Sequence, residues 1–131
     1  MMDGRQNWTS FEDGVKPLLE KYFQTFLQKE IVDIDGKGKK FDFVNRNNKV
    51  VGDAKFYSFT SSGHRPSAKF STLNEYIWLL QKISSSWKKF LVIGDDESLV
   101  EKYVNEFEPW IKGVSIFFSD GKSVLKEIRK E

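Results

Sequence analysis

The sequence predicts an α/β fold in which a mixed β-sheet is flanked by helices, and three patterns support this prediction. Apolar residues recur at helical spacing over residues 8–29, which is typical of an amphipathic helix that packs on a sheet. Residues 41–57 have two strand-forming arms around a polar turn, which predicts a β-hairpin. Residues 90–94 form a continuous apolar run, as expected of a strand buried on both faces.

Length and composition predict one domain with a substantial core. The chain has 131 residues, including 12 Phe and 4 Trp, so we expect a single domain over residues 1–131. It has no cysteine, which excludes disulfides, thiolate zinc sites and cysteine nucleophiles. No stretch approaches the roughly 20 apolar residues of a membrane-spanning helix, and the N-terminus is too polar for a signal peptide. A cytoplasmic location is therefore expected.

The first half of the chain is predicted to contain one helix followed by three strands. The helix over residues 8–29 includes Pro17, and proline is comfortable only in a first turn. The regular helix therefore either begins near Gly14 or is kinked. Residues 30–35 alternate as a half-buried strand, and a glycine-containing turn then leads into the hairpin.

The second half is predicted to alternate between helices and strands. After a polar loop, the pattern gives a helix from residue 71 or 72 to about 84, the strand at 90–94, a helix over 96–107, a strand over 114–118 and a closing helix over 123–130. A strand, a helix and a second strand in this order imply a parallel crossover.

The hairpin carries three ionisable groups where a core strand should be apolar. Asp42 lies on its first arm, and Asp53 and Lys55 lie on its second. Side chains two residues apart on a strand share a face, so Asp53 and Lys55 point the same way. A surface ladder of salt bridges would explain them and would contribute little stability. The apolar flanks of the second arm favour a buried strand instead, in which unpaired charge is costly and usually marks a functional site.

Two carboxylates beside an ammonium group suit metal-assisted phosphodiester cleavage. Asp42 and Asp53 supply the hard oxygen ligands that Mg²⁺ prefers, and they leave coordination positions for water and a phosphate oxygen. The ion would neutralise charge in the transition state. Lys55 would orient or deprotonate the attacking water. These residues therefore predict a Mg²⁺ site that acts on phosphodiesters.

At these residues the chain resembles the PD-(D/E)xK nuclease superfamily, whose restriction-endonuclease-like fold occurs in Holliday-junction resolvases and in restriction and homing endonucleases. Asp42 matches the lone Asp of the pattern, and residues 53–55, Asp-Ala-Lys, match its (D/E)-x-K element. Phe41 stands where the pattern has Pro, a position that varies widely in the superfamily. The resemblance implies an αβββαβ core over about residues 11–93, with a helix, a strand and a helix added after it.

The resemblance also implies a third acidic residue on the first helix. Residues 11–19 have the F-E-x-x-V-x-x-L-L pattern of several superfamily members, which makes Glu12 the acid that reaches the metal. Glu20 is the alternative. Glu12 also fits a capping box at the helix start, and Glu20 also fits a solvated ion pair.

Positive charge is concentrated around the predicted site. The formal net charge is only +2, but residues 37–69 carry eight Lys and Arg residues against two Asp residues. Clustered cations bind phosphate backbones, although a lysine-rich sheet edge that resists aggregation has a similar pattern. The lone histidine, His64, is more typical of a surface loop than of a catalyst. The candidate nucleic-acid contacts are Lys37, Lys39, Lys40, Arg46, Arg65 and Lys69.

The sequence thus predicts a Mg²⁺- or Mn²⁺-dependent DNA endonuclease, a hydrolase in which Asp42, Asp53 and Glu12 bind the metal and Lys55 is the catalytic lysine. The partner is DNA, and no membrane association is expected. Double-strand cutting needs two sites, so we expect a homodimer or higher oligomer, or an enzyme specific for DNA structure. The alternative is a nucleic-acid-binding or structural module on the same fold with an inactive site.

Overall fold

The computed structural model describes residues 8–57 and 67–131. These residues form helices on both sides of a set of strands. In chain order they are α1 (Trp8–Phe23), β1 (Gln28–Ile34), β2 (Lys37–Asn45), β3 (Val50–Tyr57), α2 (Ser67–Gln81), β4 (Lys88–Asp95), α3 (Glu97–Phe107), a 3-10 helix (Glu108–Trp110), β5 (Ser115–Ser119) and β6 (Leu125–Arg129). None of the described helices is long and apolar enough to cross a membrane.

The strands form one mixed sheet in the order β1-β2-β3-β4-β5-β6. Pairing is antiparallel from β1 to β3 and between β5 and β6, whereas β3, β4 and β5 run parallel. Parallel neighbours need a crossover connection. The segments that contain α2 and α3 provide the two crossovers. The predicted α/β class, a mixed sheet flanked by helices, is confirmed.

Apolar side chains cover both faces of the sheet. On one face α1 packs through residues such as Phe11 and Leu19. On the other face α2 and α3 pack through a larger cluster that includes Leu73 and Tyr103. The apolar run at residues 90–94 is buried and contributes alternate side chains to both clusters, as predicted for a central strand.

The first helix ends earlier than predicted. α1 stops at Phe23, and Gln24 adopts a left-handed backbone conformation with a φ of 55°. The Glu20 carboxylate then accepts a hydrogen bond from the Leu27 N–H at 2.9 Å. This side-chain bond stabilises a turn, so the residues after Phe23 enter β1 instead of extending the helix.

The start of α1 also settles one of two alternatives. The helix begins at Trp8, and Pro17 lies in its interior with an exposed side chain. A start near Gly14 is therefore wrong. Gly14 instead permits a close approach, because a Cβ at this position would lie 1.7 Å from the carbonyl oxygen of Gly121 in the loop before β6.

The first strand and its turn follow the sequence pattern closely. Val32 and Ile34 of β1 are buried, and the residues between and beyond them are exposed. The turn into β2 is formed by Asp35 and Gly36, whose φ angles are 52° and 87°. Two consecutive positive φ angles are what a two-residue type I′ hairpin requires, and Asp-Gly adopts them readily.

The second helix begins earlier than the pattern indicated. α2 starts at Ser67 instead of residue 71 or 72, and it ends at Gln81. Lys69 therefore lies in the first turn of a helix and not in a loop. The rest of the predicted polar loop, residues 58–66, lies outside the described residues.

The third helix and the strand after it agree with the prediction. α3 is capped by Asp96, whose Oδ1 accepts hydrogen bonds from the N–H groups of Ser98 (3.0 Å) and Leu99 (3.4 Å). β5 lies parallel to β4, as a strand-helix-strand unit requires.

The C-terminal element is a strand, so the predicted closing helix over residues 123–130 is wrong. These residues include good helix formers, but an isolated helix of this length is marginal in water. β6 instead pairs antiparallel with β5 and so satisfies backbone groups along that edge. The pairing also places Ile128 against the apolar cluster between the sheet and helices α2 and α3, and Leu125 against the cluster between the sheet and α1.

Candidate active site

The β2–β3 hairpin has regular pairing only near its turn. The backbone pairs are Asn45 with Val50, Val44 with Val51, and Phe43 with Gly52. Asp42 and Asp53 would form the next pair, but their carboxylates take the backbone hydrogen bonds instead. Asp53 Oδ1 accepts from the Asp42 N–H at 2.8 Å, and Asp42 Oδ2 accepts from the Ala54 N–H at 3.1 Å. The two carboxylates therefore lie beside each other where regular pairing stops.

A β-bulge in β2 helps to aim Asp42 into this gap. Pairing with β1 shifts in register between Gln28, opposite Val44, and Glu30, opposite Phe41. Lys29 therefore faces two residues of β2, Asp42 and Phe43. Bulges of this kind re-aim side chains and are frequent next to active sites.

Asp53 is a buried carboxyl group close to a second carboxylate. Its side chain belongs to a residue that is only 4 % exposed. Burial, followed by the charge of Asp42 and a hydrogen bond with the Asp42 side chain, raises the pKa of Asp53 from 3.8 to about 7. Lys55 offsets part of this effect, since its Nζ lies 3.4 Å from Asp53 Oδ2. Near neutral pH the charged and neutral forms of the Asp53 carboxyl are therefore both populated.

Lys55 lies between this carboxyl and an aromatic ring. Its Nζ is 3.7 Å from the centre of the Tyr76 ring, which α2 contributes. Burial favours the neutral amine, but a hydrogen bond with the Tyr76 side chain and the charge of Asp53 together raise the pKa of Lys55 above its ordinary value. Lys55 is therefore an ammonium group at neutral pH.

Glu12 reaches the same cleft from α1. Its carboxylate pairs with Lys29 Nζ at 3.2 Å. Burial and then the charge of Asp42 raise the pKa of Glu12. The alternative acid, Glu20, bonds to the Leu27 N–H and does not line the cleft. The structure thus brings Glu12, and not Glu20, towards the two aspartates.

These side chains line an open cleft of about 600 Å³. Three residues with carboxyl groups and four with ammonium groups contribute to its lining. They belong to Glu12, Asp42, Asp53, Lys29, Lys39, Lys40 and Lys55. The mixture of sites for a cation and sites for an anion distinguishes this cleft from an ordinary surface salt bridge.

The other predicted nucleic-acid contacts are at varying distances from the cleft. Lys69 is adjacent, since its Nζ lies 5.6 Å from the ring centre of Tyr57, a cleft residue. Lys37 is exposed at the start of β2 and does not line the cleft. Arg65 and His64 lie outside the described residues.

Arg46 forms hydrogen bonds near the hairpin turn that stabilise the fold. Its Nε donates a hydrogen bond to Glu30 Oε1 at 2.8 Å, and its Nη2 donates to the Ile31 carbonyl. Arg46 does not line the cleft. Of the predicted basic contacts, Lys39 and Lys40 are therefore the ones that the fold places directly at the carboxylates.

Two cleft residues, Lys29 and Tyr76, were not identified from the sequence. Lys29 falls within the predicted first helix, whereas its actual position in β1 brings it opposite Asp42 and Phe43. Tyr76 shares a helical face with Leu73 and Leu80, which makes it resemble an ordinary core residue. Its hydroxyl group on that buried face was the available signal, because a buried Tyr hydroxyl usually has a polar partner.

The donor chemistry suits a hard divalent cation. Mg²⁺ is usually held by one or two carboxylates, with water and phosphate oxygens completing its coordination, and Asp42 and Asp53 supply such a pair. A cation between them would relieve the like-charge repulsion that contributes to the raised pKa of Asp53. Within residues 8–57 and 67–131 no group of three or more His, Cys, Asp or Glu side chains is arranged to hold an ion. Glu12, paired with Lys29, is thus not part of a three-carboxylate group.

Comparison with known proteins gives no family for this chain: no family model, no curated protein and no solved structure matches it. The restriction-endonuclease-like core and membership of the nuclease superfamily therefore stay predictions.

Proposed function

We propose that the protein is a Mg²⁺- or Mn²⁺-dependent DNA endonuclease that hydrolyses phosphodiester bonds. The observation that carries this proposal is the meeting of the Asp42 and Asp53 carboxylates where β2 and β3 stop pairing, with Lys55 Nζ 3.4 Å from Asp53. A carboxylate buried beside a second carboxylate, as Asp53 is beside the half-buried Asp42, is costly to a fold. Its cost is understandable if a cation and a phosphate normally occupy the cleft.

Asp42 and Asp53 are the proposed metal ligands, and Glu12 is the proposed third acid. When bound, the ion supplies Lewis-acid stabilisation of the charge that develops on the phosphate. Glu12 Oε1 pairs with Lys29 Nζ at 3.2 Å, and a carboxylate with two oxygens can keep such a partner while it binds an ion. Glu12 would have to move closer to the two aspartates to join them at the ion.

Lys55 is the proposed catalytic lysine. Tyr76 and the charge of Asp53 hold the pKa of Lys55 above its ordinary value, which favours its ammonium form in the metal-free protein. Of the two functions predicted from the sequence, orienting the attacking water and stabilising negative charge therefore fit it better than proton abstraction.

The order of elements supports the resemblance to PD-(D/E)xK nucleases. α1, β1, β2, β3, α2 and β4 follow one another as αβββαβ, with the candidate ligands on the second and third strands. DNA is the proposed partner, because Lys29, Lys39 and Lys40 add cations around the carboxylates. Cutting both strands of a duplex would require a homodimer or higher oligomer.

One observation favours a second candidate, a nucleic-acid-binding module with an inactive site. The carboxylates of Asp42 and Asp53 satisfy backbone N–H groups that the interrupted pairing would otherwise leave without partners. They therefore have a structural function even if no metal binds. This candidate predicts DNA binding without cleavage.

The test is nicking of supercoiled plasmid in Mg²⁺ or Mn²⁺. We expect Asp53→Asn and Lys55→Ala each to reduce nicking by at least about 1,000-fold, since each removes a group from the reacting centre. Asp35→Asn and Lys112→Ala are matched controls, because both residues are exposed and neither lines the cleft. Folding of each variant is checked by thermal unfolding. Substantial cleavage by either site variant would refute the assignment.

A further inference from the structure

Tyr76 lies between two lysines that belong to different strands. Lys55 comes from β3 and Lys39 from β2, and α2 places Tyr76 against both. Lys55 Nζ lies 3.7 Å from the centre of the Tyr76 ring. Lys39 Nζ lies farther from the ring centre, at 4.9 Å, and 3.5 Å from the Tyr76 hydroxyl oxygen.

The contact between Lys55 and Asp53 is longer than a direct charge-assisted hydrogen bond. The Nζ–Oδ2 distance is 3.4 Å, compared with about 2.7–2.9 Å for such bonds in general. The face of an aromatic ring attracts a cation. Tyr76 therefore shares the ammonium group with Asp53 and limits how closely Lys55 approaches the carboxylates.

This sharing matters for a site that takes both a cation and an anion. A lysine bonded fully to Asp53 would occupy the oxygen that a metal ion needs. A lysine without any partner would adopt many rotamers and lose its alignment with the phosphate. The Tyr76 side chain opposes both outcomes, because it holds the Lys55 ammonium in a long ion pair with Asp53, at 3.4 Å.

We propose that Tyr76 is a positioning residue of the catalytic site, in which its ring and hydroxyl together align Lys55 for the chemical step and its hydroxyl also contacts Lys39, which would bind substrate. The proposal rests on the proposed nuclease function and goes beyond it, since it assigns to one tyrosine the positioning of two lysines, one for the chemical step and one for substrate binding. Tyr76 does not itself touch the reacting atoms.

Two substitutions separate the two contacts. Tyr76→Phe keeps the ring beside Lys55 and removes the hydroxyl, which contacts both lysines, so we expect kcat to fall by less than about 10-fold and KM for DNA to rise by about 3- to 10-fold. Tyr76→Leu removes the ring as well, so we expect kcat to fall by at least about 10-fold more. Lys39→Ala should reproduce the KM effect of Tyr76→Phe.

The matched control is Trp78→Leu. Trp78 is an exposed aromatic residue of the same helix, and Lys82 Nζ lies 4.6 Å from the centre of its ring. Neither residue lines the cleft. Loss of this second cation–ring contact should leave kcat and KM unchanged, which shows that the effects at Tyr76 do not come from a general change in α2.

A second measurement is independent of catalysis. NMR of lysine-labelled, metal-free protein should show the ε-methylene protons of Lys55 shifted upfield by the ring of Tyr76. Tyr76→Phe should keep the shift and Tyr76→Leu should abolish it. An unshifted Lys55 in the wild type, or a Tyr76→Leu variant with wild-type kcat, would overturn the proposal. Absence of metal-dependent nicking by the wild type would instead refute the nuclease function, and the NMR result would then decide the positioning of Lys55 alone.

Discussion

The two ends of the β2–β3 hairpin contain similar polar residues and use them differently. At the turn end, residues 45–49, Asn45 caps the turn by accepting from the Asn48 N–H at 2.8 Å, and Arg46 pairs with Glu30 near solvent. At the open end, where pairing stops, Asp42 and Asp53 lie together in a partly buried cleft. Charge at the turn end is explained by local structure. Charge at the open end is destabilised both by repulsion between the carboxylates and by burial. This arrangement indicates a site for a ligand that relieves both effects.

The largest effect on the protein itself should come from removing the repulsion at the open end. The pKa of Asp53 is 3.8 unperturbed and about 7 in the folded protein, so the folded state binds the proton more tightly than the unfolded chain. Asp53 therefore costs stability progressively as the pH rises from about 4 through about 7. Relative to the wild type, the unfolding free energy of Asp53→Asn should increase by on the order of 2–3 kcal/mol between pH 5 and pH 8.

Urea unfolding in EDTA at the two pH values measures this difference. Asp35→Asn is the control, since Asp35 is an exposed residue at the β1–β2 turn and Asn tolerates its positive φ. An Asp53→Asn variant whose stability follows the pH dependence of the wild type would contradict the account of the open end.

A smaller effect should separate the two candidate acids of α1, which lie at opposite ends of the hairpin. Glu12 lines the cleft at the open end, and we expect Glu12→Gln to reduce metal-dependent nicking by about 10- to 100-fold. Glu20 stabilises the turn before β1 near the other end, so Glu20→Ala should lower the unfolding free energy by about 1 kcal/mol and leave nicking unchanged. Loss of nicking in Glu20→Ala, with full activity in Glu12→Gln, would reverse the assignment.

The smallest effect concerns single cations at the two ends. Lys40 lines the cleft and Arg46 is tied to Glu30. Lys40→Ala should weaken binding to DNA by about 2- to 5-fold and reduce the salt dependence of the affinity by about one unit of slope. Arg46→Ala should change neither quantity. Fluorescence anisotropy in EDTA, where no cleavage occurs, measures both, and a larger loss in Arg46→Ala would place the DNA at the turn end.

The sequence predicted the sheet class and most elements because their hydrophobic periods are strong. The apolar run at residues 90–94 and the two arms of the hairpin were identified correctly. The closing helix was wrong, because pairing of residues 125–129 with β5 outweighed their helix propensity. The predicted first helix was too long. The Leu27 backbone N–H donates a hydrogen bond to the Glu20 side chain after the helix ends, and the hydrophobic pattern of the sequence does not show this contact.

The central residues of the candidate site were likewise visible in the sequence, and their surroundings were not. Asp42, Asp53 and Lys55 stand out because charge is unexpected among strand-forming residues. Lys29 and Tyr76 could not be found in the same way. Lys29 depends on the end of α1 at Phe23 and on the pairing of β1 with β2, and Tyr76 depends on how α2 crosses the sheet. Both are tertiary features that a local pattern does not encode.

The most direct test of the site is metal binding by calorimetry, with Mg²⁺ or Mn²⁺, comparing the wild type with Asp53→Asn. Plasmid nicking is measured on the same samples. The account predicts that the wild type binds metal and nicks DNA, and that Asp53→Asn does neither. It also predicts that the affinity of the wild type for metal increases from pH 6 to pH 8, as Asp53 loses its proton. A wild-type protein that neither binds metal nor nicks DNA, or an Asp53→Asn variant that binds metal as the wild type does, would contradict it.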